Sequence, residues 1–221
     1  MKNITIPQIK ICGLTNVEEA IQCAEVGANA IGLVFYSKSP RHVPNEPAKN
    51  ISKALPSGIK KTGVFVDAEY TDIMRIVDFC GLDAVQLHGA ESPSLVNRLI
   101  EQKLIVIKAL FISRYPKLKQ AAEYNASAFL VELGKGKLPG GNALPWNWSE
   151  AGKYGKNFPF ILAGGLSPEN ISDAMKSCSP DAVDISSGVE LSPGRKDINK
   201  VKTFVDTVLN YTGTKKLIKI F

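Results

Sequence analysis

Side chains that can accept or donate a proton lie at the ends of short apolar segments. Cys12 closes QIKIC, Glu132 closes AFLVE, His88 directly follows AVQL, and Asp184 lies within AVDI. Thiols, imidazoles and carboxyls are the groups that enzymes use for acid–base catalysis. Taken alone, Cys12 is more typical of a small core residue and Glu132 is also consistent with a solvated loop. These residue types indicate proton transfer only if the fold gathers them.

Two glycine-containing segments are typical of phosphate binding. Gly164 and Gly165 occur in LAGGLSPENI, and Ser186, Ser187 and Gly188 occur in DISSGVE. Glycine lets backbone N–H groups approach phosphate oxygens, and a following helix start adds a favourable dipole. Either segment alone is consistent with a tight strand-to-helix turn, but two of them on consecutive units favour a phosphate site.

A short recurrent pattern indicates how the chain is organised. GANAI begins at Gly27, GLDAV at Gly81 and, in weaker form, SPDAV at Ser179. The pattern predicts a helix that stops at a left-handed residue, a tight polar turn and entry into a buried strand. Successive copies are separated by about two and four units of roughly 27 residues, as expected if eight βα units share the chain.

Eight apolar segments predict eight strands, with helices between them. The strands are 8–12, 30–35, 61–66, 84–87, 104–109, 128–132, 158–163 and 182–186. Helix starts are predicted at Asn16, with Glu19 three residues on, at Ser92–Pro93 and at Ser167–Pro168, and the last helix is predicted over 197–209.

Strict alternation of strand and helix predicts a parallel sheet, either closed or doubly wound. Eight units within 221 residues favour closure. We therefore predict an α/β fold, a (βα)8 TIM barrel that forms a single domain over residues 1–221. In such a barrel the active site lies at the carboxyl ends of the strands, where the polar residues named above are found.

Composition limits the class of protein. Hydrophobic residues make up 44% and charged residues 22% of the chain, as in a soluble globular protein. The net charge of +6 favours anionic partners, but it is spread along the sequence instead of forming one stripe, so a small phosphorylated ligand explains it as well as nucleic acid would. No nucleic-acid partner is expected. We find no signal peptide or membrane-spanning segment, so a cytosolic protein without a membrane partner is expected. The tail KKLIKIF predicts a last element that docks its apolar side.

The four cysteines lack the paired spacing of zinc or redox sites. They are Cys12, Cys23, Cys80 and Cys178. Four free thiols and no metal are therefore expected. The last three cysteines lie on apolar helix stripes, which predicts that they belong to the core.

Six segments closely resemble the phosphoribosylanthranilate isomerase family. They are KICGLT at 10–15, GLVFYSKSPRHV at 32–43, GVFVD at 63–67, VQLHG at 85–89, LAGGLSPENI at 162–171 and DISSGVELSPGRKD at 184–197. The resemblance covers nearly the whole chain in order. It implies a cofactor-free Amadori rearrangement in tryptophan biosynthesis, in which an aminoaldose phosphate with anthranilate on its first carbon becomes the aminoketose. Either a monomer or a homodimer is consistent with the sequence.

The resemblance also implies roles for individual residues. Cys12 corresponds to the general base, and nearby cations or helix N-termini can lower the pKa of a thiol toward neutrality. Lys10 shares the strand face of Cys12 and could assist as a cation. Arg41 corresponds to the arginine that meets the anthranilate carboxylate, although a surface arginine is the simpler alternative. Gln86 and His88 contact the sugar or position the base, or else form a buried structural pair.

The general acid departs from the family pattern. The family has aspartate at the end of the sixth strand, where this chain has Glu132. The extra methylene moves the carboxyl by about a bond length. Asp184, otherwise a candidate for binding substrate, is the nearest alternative acid. The segment after Glu132 keeps Gly140 and Gly141 but has Ala143 in place of a family glycine, which affects how this loop packs over the substrate.

Besides nucleic-acid binding driven by the positive charge, which is the weakest alternative, two alternative functions stay open. One is another phosphosugar barrel, such as indole-glycerol-phosphate synthase or a pentose-phosphate epimerase, since fold alone does not determine the reaction. KICGLT argues against it, because a synthase would need a lysine at that strand end and a metal-dependent epimerase would need His and Asp ligands. The other is a phosphate-binding barrel with weak or no turnover because of Glu132.

Overall fold

Eight parallel strands close into a barrel in the computed structural model, which describes residues 3–135, 146–153, 157–213 and 215–221. The strands are β1 Gln8–Cys12, β2 Ala30–Val34, β3 Lys60–Phe65, β4 Ala84–Leu87, β5 Ile105–Phe111, β6 Ala128–Glu132, β7 Phe160–Leu162 and β8 Ala182–Ile185. Pairing of β8 with β1, in which Lys10 lies opposite Asp184, closes the ring. The predicted (βα)8 barrel is confirmed and the doubly wound alternative is wrong.

Most strand bounds agree with the prediction to within one residue. β5 continues two residues further than predicted, because Phe111 pairs with Glu132 at the end of β6. β7 begins two residues later than predicted, at Phe160. The preceding residue, Pro159, has no N–H group and cannot donate to the ladder of a central strand.

Helices cover the outside of the barrel. They are α1 Val17–Val26, α2 Asn45–Ala54, α3 Tyr70–Cys80, α4 Pro93–Glu101, α5 Ser149–Gly152, α6 Ile171–Cys178 and α7 Ile198–Leu209, with 3₁₀ turns at Leu118–Glu123 and Ser187–Val189. The predicted caps Asn16 and Ser92 are confirmed, since their side chains accept hydrogen bonds from the third residue on. None of the described helices is long and apolar enough to cross a lipid bilayer.

The predicted helix start at Ser167–Pro168 is wrong, because α6 begins at Ile171. Asn170 folds its side chain back, accepting from the N–H of Ser167 at 2.8 Å and donating to the carbonyl of Gly165 at 2.8 Å. Such side-chain bonds offer the backbone an alternative to helix. Residues 167–170 therefore form a turn that lengthens the loop after β7.

The recurrent polar turn connects neighbouring βα units. Its first residue has a positive φ in all three copies, at Gly27 (124°), Gly81 (62°) and Ser179 (47°), which confirms the predicted left-handed helix stop. The polar residue two positions later accepts a hydrogen bond from a strand of the preceding unit. These bonds join Asn29 to the N–H of Ile9 (2.7 Å), Asp83 to that of Lys61 (2.9 Å) and Asp181 to that of Phe160 (3.0 Å). The repeat thus connects successive strands at the amino end of the barrel.

Asp181→Ala is expected to lower the free energy of unfolding by about 2–4 kcal/mol. Asp181 is 1% exposed, and its carboxylate accepts from the N–H groups of Phe160 at 3.0 Å and Ile218 at 2.9 Å. Alanine would leave both donors without this partner. Urea unfolding followed by circular dichroism measures the change. Asp173→Ala, at a side chain that is 84% exposed, is the control and should cost less than about 0.5 kcal/mol; equal losses would contradict this explanation.

The interior of the barrel below its mouth is largely apolar. Fully buried side chains from five strands fill this part, namely Ala30, Ile107, Leu130, Ile161 and Ala182. The helical cysteines Cys23, Cys80 and Cys178 are buried free thiols, which confirms their core assignment. This packed interior supports the strand ends on which the polar residues are placed.

The C-terminal segment closes the amino end of the barrel. Leu217–Ile218 pairs antiparallel with Asn3–Ile4, and the buried Phe221 joins the interior cluster. The Gln8 side chain donates to the carbonyl of Phe221 at 2.8 Å and accepts from its N–H at 2.9 Å. The predicted docking of the apolar side of the tail is confirmed.

Candidate active site

The carboxyl end of β1 presents Cys12 to the barrel mouth. Cys12 belongs to a buried cluster with Val34 on β2 and Val64 on β3. It lies opposite Gly32, two residues after the interior residue Ala30, so the alternation of side chains along a strand points it inward. A Cβ on Gly32 would lie 2.6 Å from the Cys12 sulfur and 3.1 Å from Lys10 Nζ. The missing side chain at Gly32 therefore makes room for both groups, and Lys10 shares the face of Cys12 as predicted.

Asp184, the predicted substrate-binding residue and alternative acid, is paired with Lys10. Lys10 Nζ donates to Asp184 Oδ1 at 2.8 Å, and both side chains are buried between β1 and β8. Burial lowers the pKa of Lys10, but the charges of Asp184 and Cys12 outweigh burial, so the pKa is raised and Lys10 is an ammonium at neutral pH. In this ion pair the Asp184 side chain accepts a hydrogen bond from Lys10.

Burial dominates the protonation of Cys12. It raises the pKa of the thiol, and the charges of Lys10 and Lys196, which lower the pKa, do not compensate. Desolvation disfavours the thiolate because that is the charged form. The expectation that nearby cations bring this pKa toward neutrality is therefore wrong for the unliganded protein.

Alkylation of Cys12 by iodoacetamide is expected to accelerate about tenfold per pH unit from pH 7 to pH 9 without levelling off. Only the thiolate reacts, and a raised pKa keeps the thiolate fraction small and rising with pH throughout this range. Mass spectrometry of the modified peptide gives the rate at residue 12. A plateau below pH 8 would show that the cations prevail over burial.

Gln86, His88 and Glu132 form a chain of hydrogen bonds across the mouth. Gln86 Nε2 lies 2.9 Å from His88 Nδ1, and His88 Nε2 lies 3.2 Å from Glu132 Oε1. Glu132 lies two residues after the interior residue Leu130 on β6, so its side chain points inward, where it meets His88 from the end of β4. Glu132 is only 7% exposed, which makes the solvated-loop interpretation wrong.

Arg114 is a mouth residue that no sequence pattern indicated. Its guanidinium carbon lies 3.6 Å from the centroid of the Phe111 ring, and that ring meets the His88 ring edge-on at 5.6 Å. Burial lowers the pKa of Arg114, whereas the charge of Glu132 acts to raise it. A cation therefore borders the predicted acid.

Arg41 is buried beside the strand that carries Cys12. It is 7% exposed, so the surface-arginine interpretation is wrong, and a Cβ on Gly13 would lie 2.6 Å from Arg41 Cδ. Its guanidinium donates from Nε and Nη2 to the two carboxylate oxygens of Glu190 at 2.8 and 2.6 Å. Lys196 Nζ donates to the same carboxylate at 2.8 Å. Sequence reasoning missed Glu190 and Lys196, although both lie in the segment DISSGVELSPGRKD.

The loops after β7 and β8 pack against each other. Gly164 and Gly165 have φ of +86° and +70°, which favour glycine, and a Cβ on Gly188 would clash with the carbonyl oxygen of Leu166. Within the described ranges, the backbone N–H groups of Gly165, Ser187 and Gly188 donate to no other protein group. Adjacent N–H groups of this kind suit an anion.

These loops also join the two sides of the mouth. Ser186 Oγ donates to the carbonyl of Cys12 at 3.0 Å, and a Cβ on Gly164 would lie 3.2 Å from Glu132 Cβ. The predicted thiol, carboxyl and glycine loops are therefore brought to one end of the barrel. Gly140, Gly141 and Ala143, which the sequence places in the loop after β6, lie outside the described residues.

Comparisons with known proteins agree with this arrangement. The profile of the family described as N-(5'phosphoribosyl)anthranilate (PRA) isomerase matches residues 9–207. The N-(5'-phosphoribosyl)anthranilate isomerase of Desulfatibacillum aliphaticivorans is 51% identical over 198 residues, which cover 90% of this chain and 91% of that protein.

Solved structures extend the comparison to the fold. The crystal structure of phosphoribosyl anthranilate isomerase from Thermotoga maritima has a TM-score of 0.84 and 37% identity, covering 93% of this chain and 100% of that one. A phosphoribosyl anthranilate isomerase in complex with reduced 1-(o-carboxyphenylamino)-1-deoxyribulose 5-phosphate has a TM-score of 0.81, with the same identity and coverage. Since sequence and fold agree over nearly the whole length, the chain belongs to the N-(5'-phosphoribosyl)anthranilate isomerase family.

Proposed function

We propose that the chain converts N-(5'-phosphoribosyl)anthranilate into 1-(2-carboxyphenylamino)-1-deoxyribulose 5-phosphate, an isomerisation in tryptophan biosynthesis that needs no cofactor. The observation that carries the proposal is the position of Cys12 on β1 and Glu132 on β6, which reach one mouth from different sides. Family membership and the relative that binds a reduced form of this product support the same reaction.

The two anionic ends of the substrate have separate partners in this proposal. The phosphate binds the N–H groups of Gly165, Ser187 and Gly188, where the loops after β7 and β8 meet. The anthranilate carboxylate binds Arg41, whose planar guanidinium can hold both oxygens. Val34 and Val64 offer an apolar wall beside Cys12 for the aromatic ring.

Ring opening is assigned to Glu132. Its carboxyl donates a proton to the furanose ring oxygen, the bond from that oxygen to the first sugar carbon breaks, and the nitrogen lone pair forms a cationic Schiff base. His88 Nε2 lies 3.2 Å from Glu132 Oε1, and its N–H donates to the carboxyl and orients it. Gln86 orients the imidazole through Nδ1 at 2.9 Å.

Proton removal from the second sugar carbon is assigned to Cys12. As the thiolate takes this proton, the released electron pair forms the carbon–carbon double bond of the enolamine and neutralises the nitrogen. Tautomerisation then gives the ketone. The raised pKa of Cys12 applies to the unliganded site; a cationic Schiff base next to the sulfur favours the thiolate, because an opposite charge within about 4–6 Å lowers the pKa of a thiol.

Turnover and growth test the function. The purified protein should remove the anthranilate-type fluorescence of N-(5'-phosphoribosyl)anthranilate, and the gene should restore growth of a tryptophan auxotroph that lacks this step. Binding of the reduced product without any turnover would instead support the phosphate-binding barrel. Absence of both binding and turnover would reject the proposal.

A further inference from the structure

Glu190 connects two buried cations at the edge of the mouth. Its Oε1 accepts from Arg41 Nε and from Lys196 Nζ, each at 2.8 Å, and its Oε2 accepts from Arg41 Nη2 at 2.6 Å. The side chains of Glu190, Arg41 and Lys196 are all at least nine-tenths buried. Lys196 Nζ also donates to the carbonyl of Ser186 at 3.2 Å, which attaches the group to the loop after β8.

The orientation of Arg41 follows from these bonds. A guanidinium has five N–H donors in one plane, and Glu190 uses the pair on the side edge, from Nε and Nη2. Among the described residues Glu190 provides all the hydrogen-bond acceptors that the Arg41 side chain contacts. The end edge, formed by Nη1 and the second proton of Nη2, therefore stays available for a second carboxylate.

Charge at this site favours a second anion. Two cationic side chains share one carboxylate here. Burial raises the pKa of Glu190, but the hydrogen bonds from Arg41 and the charge of Lys196 outweigh burial, so the pKa is lowered and Glu190 is ionised. A ligand carboxylate at the free edge of Arg41 would balance the remaining positive charge.

We propose that Glu190, itself held by Lys196, is a positioning residue that holds Arg41 by its side edge so that the end edge receives the substrate carboxylate. The inference rests on the proposed function, because it deepens the role assigned to Arg41. Its physical basis is pre-organisation: a guanidinium already held in one orientation loses less freedom when a second carboxylate binds.

Two probes separate positioning from a structural role. One is reduced 1-(o-carboxyphenylamino)-1-deoxyribulose 5-phosphate, and the other is its 1-anilino counterpart, which lacks the carboxyl group. Glu190→Gln should lower the affinity for the carboxylated probe by about tenfold, because one charge-assisted pair is lost. Its affinity for the anilino probe should fall by less than about twofold. In turnover the same variant should raise KM with kcat nearly unchanged. The proposal would be overturned if the variant lost affinity equally for both probes, or if it lost affinity for neither.

Further variants complete the design. In the Arg41→Gln background, Glu190→Gln should have no additional effect on the carboxylated probe, because the group that it positions is absent. A clear additional loss there would overturn the proposal. Glu25→Gln, on the exposed side of α1, is the matched control and should bind both probes as the unaltered protein does.

Folding and function are checked separately. If circular dichroism shows that Glu190→Gln does not fold, the comparison is made with Glu190→Asp. That variant keeps the charge but withdraws the carboxylate by about one bond length. A selective loss of affinity for the carboxylated probe would again support the proposal, and an equal loss for both probes, or for neither, would overturn it. If the unaltered protein neither binds the probes nor turns over substrate, the proposed function fails. If it binds the probes and turns over substrate, but Glu190→Gln affects the carboxylated and anilino probes alike, only this inference fails.

Discussion

Replacement of Cys12 by serine is expected to lower kcat by about 10²–10⁴-fold, the usual contribution of a general base. The hydroxyl occupies nearly the same place between Val34 and Val64, but its pKa is far higher than that of a thiol, so almost no alkoxide forms at neutral pH. Loss of substrate fluorescence measures turnover. Binding of the reduced product analogue should change by less than about twofold, because the sulfur binds neither the phosphate nor the carboxylate.

Cys178→Ser is the matched control for this experiment. Cys178 is a buried thiol on α6 whose sulfur lies 3.3 Å from the carbonyl oxygen of Ala174, and serine can donate to the same group. This variant should keep full turnover. If Cys12→Ser also kept it, the base would have to be another group, and Asp184, which lies across from Lys10, would be the first to examine.

The fold could be predicted because its determinants are local. The polar turns at Asn29, Asp83 and Asp181 follow left-handed residues, and each is readable within five positions of sequence. Strand ends then follow from the length of each apolar segment, and closure follows from the number of units. Errors arose where a side chain competed with the backbone, as Asn170 does by delaying the start of α6.

Partners within the site could not be predicted in the same way. Arg41 and Glu190 are 149 positions apart, and nothing in the spacing indicates that one binds the other. Arg114 comes to the mouth because β5 continues to Phe111, on whose ring the guanidinium packs. Such contacts depend on how loops fold over the barrel, which the pattern of apolar residues does not encode.

Protonation states also escaped sequence reasoning. The sequence shows that Lys10 is near Cys12 but not how completely the pair is buried, and burial decides the direction of the pKa shift at the thiol. The same limit applies to Glu132, whose burial and contact with His88 appear only when β4 and β6 are placed in one barrel.

Glu132→Gln is expected to lower kcat by about 10²–10⁴-fold, because the amide has no acidic proton for the ring oxygen. Glutamine nearly preserves the volume and can still contact His88, which lies 3.2 Å from Glu132 Oε1, so the fold should be retained. The fluorescence assay gives kcat, and the affinity for the reduced product analogue shows whether the mouth is intact. Normal turnover by this variant together with an inactive Asp184→Asn would transfer the acid role to Asp184.

Glu132→Asp distinguishes chemistry from placement at the same position. Aspartate keeps a carboxyl but withdraws it by about one bond length from His88. Misplacement on the scale of about 1 Å can cost about a hundredfold in rate. Activity between that of the unaltered protein and that of Glu132→Gln is therefore expected. Activity as low as that of Glu132→Gln would mean that this barrel depends on the reach of glutamate, through its contact with His88, as much as on the acidic proton.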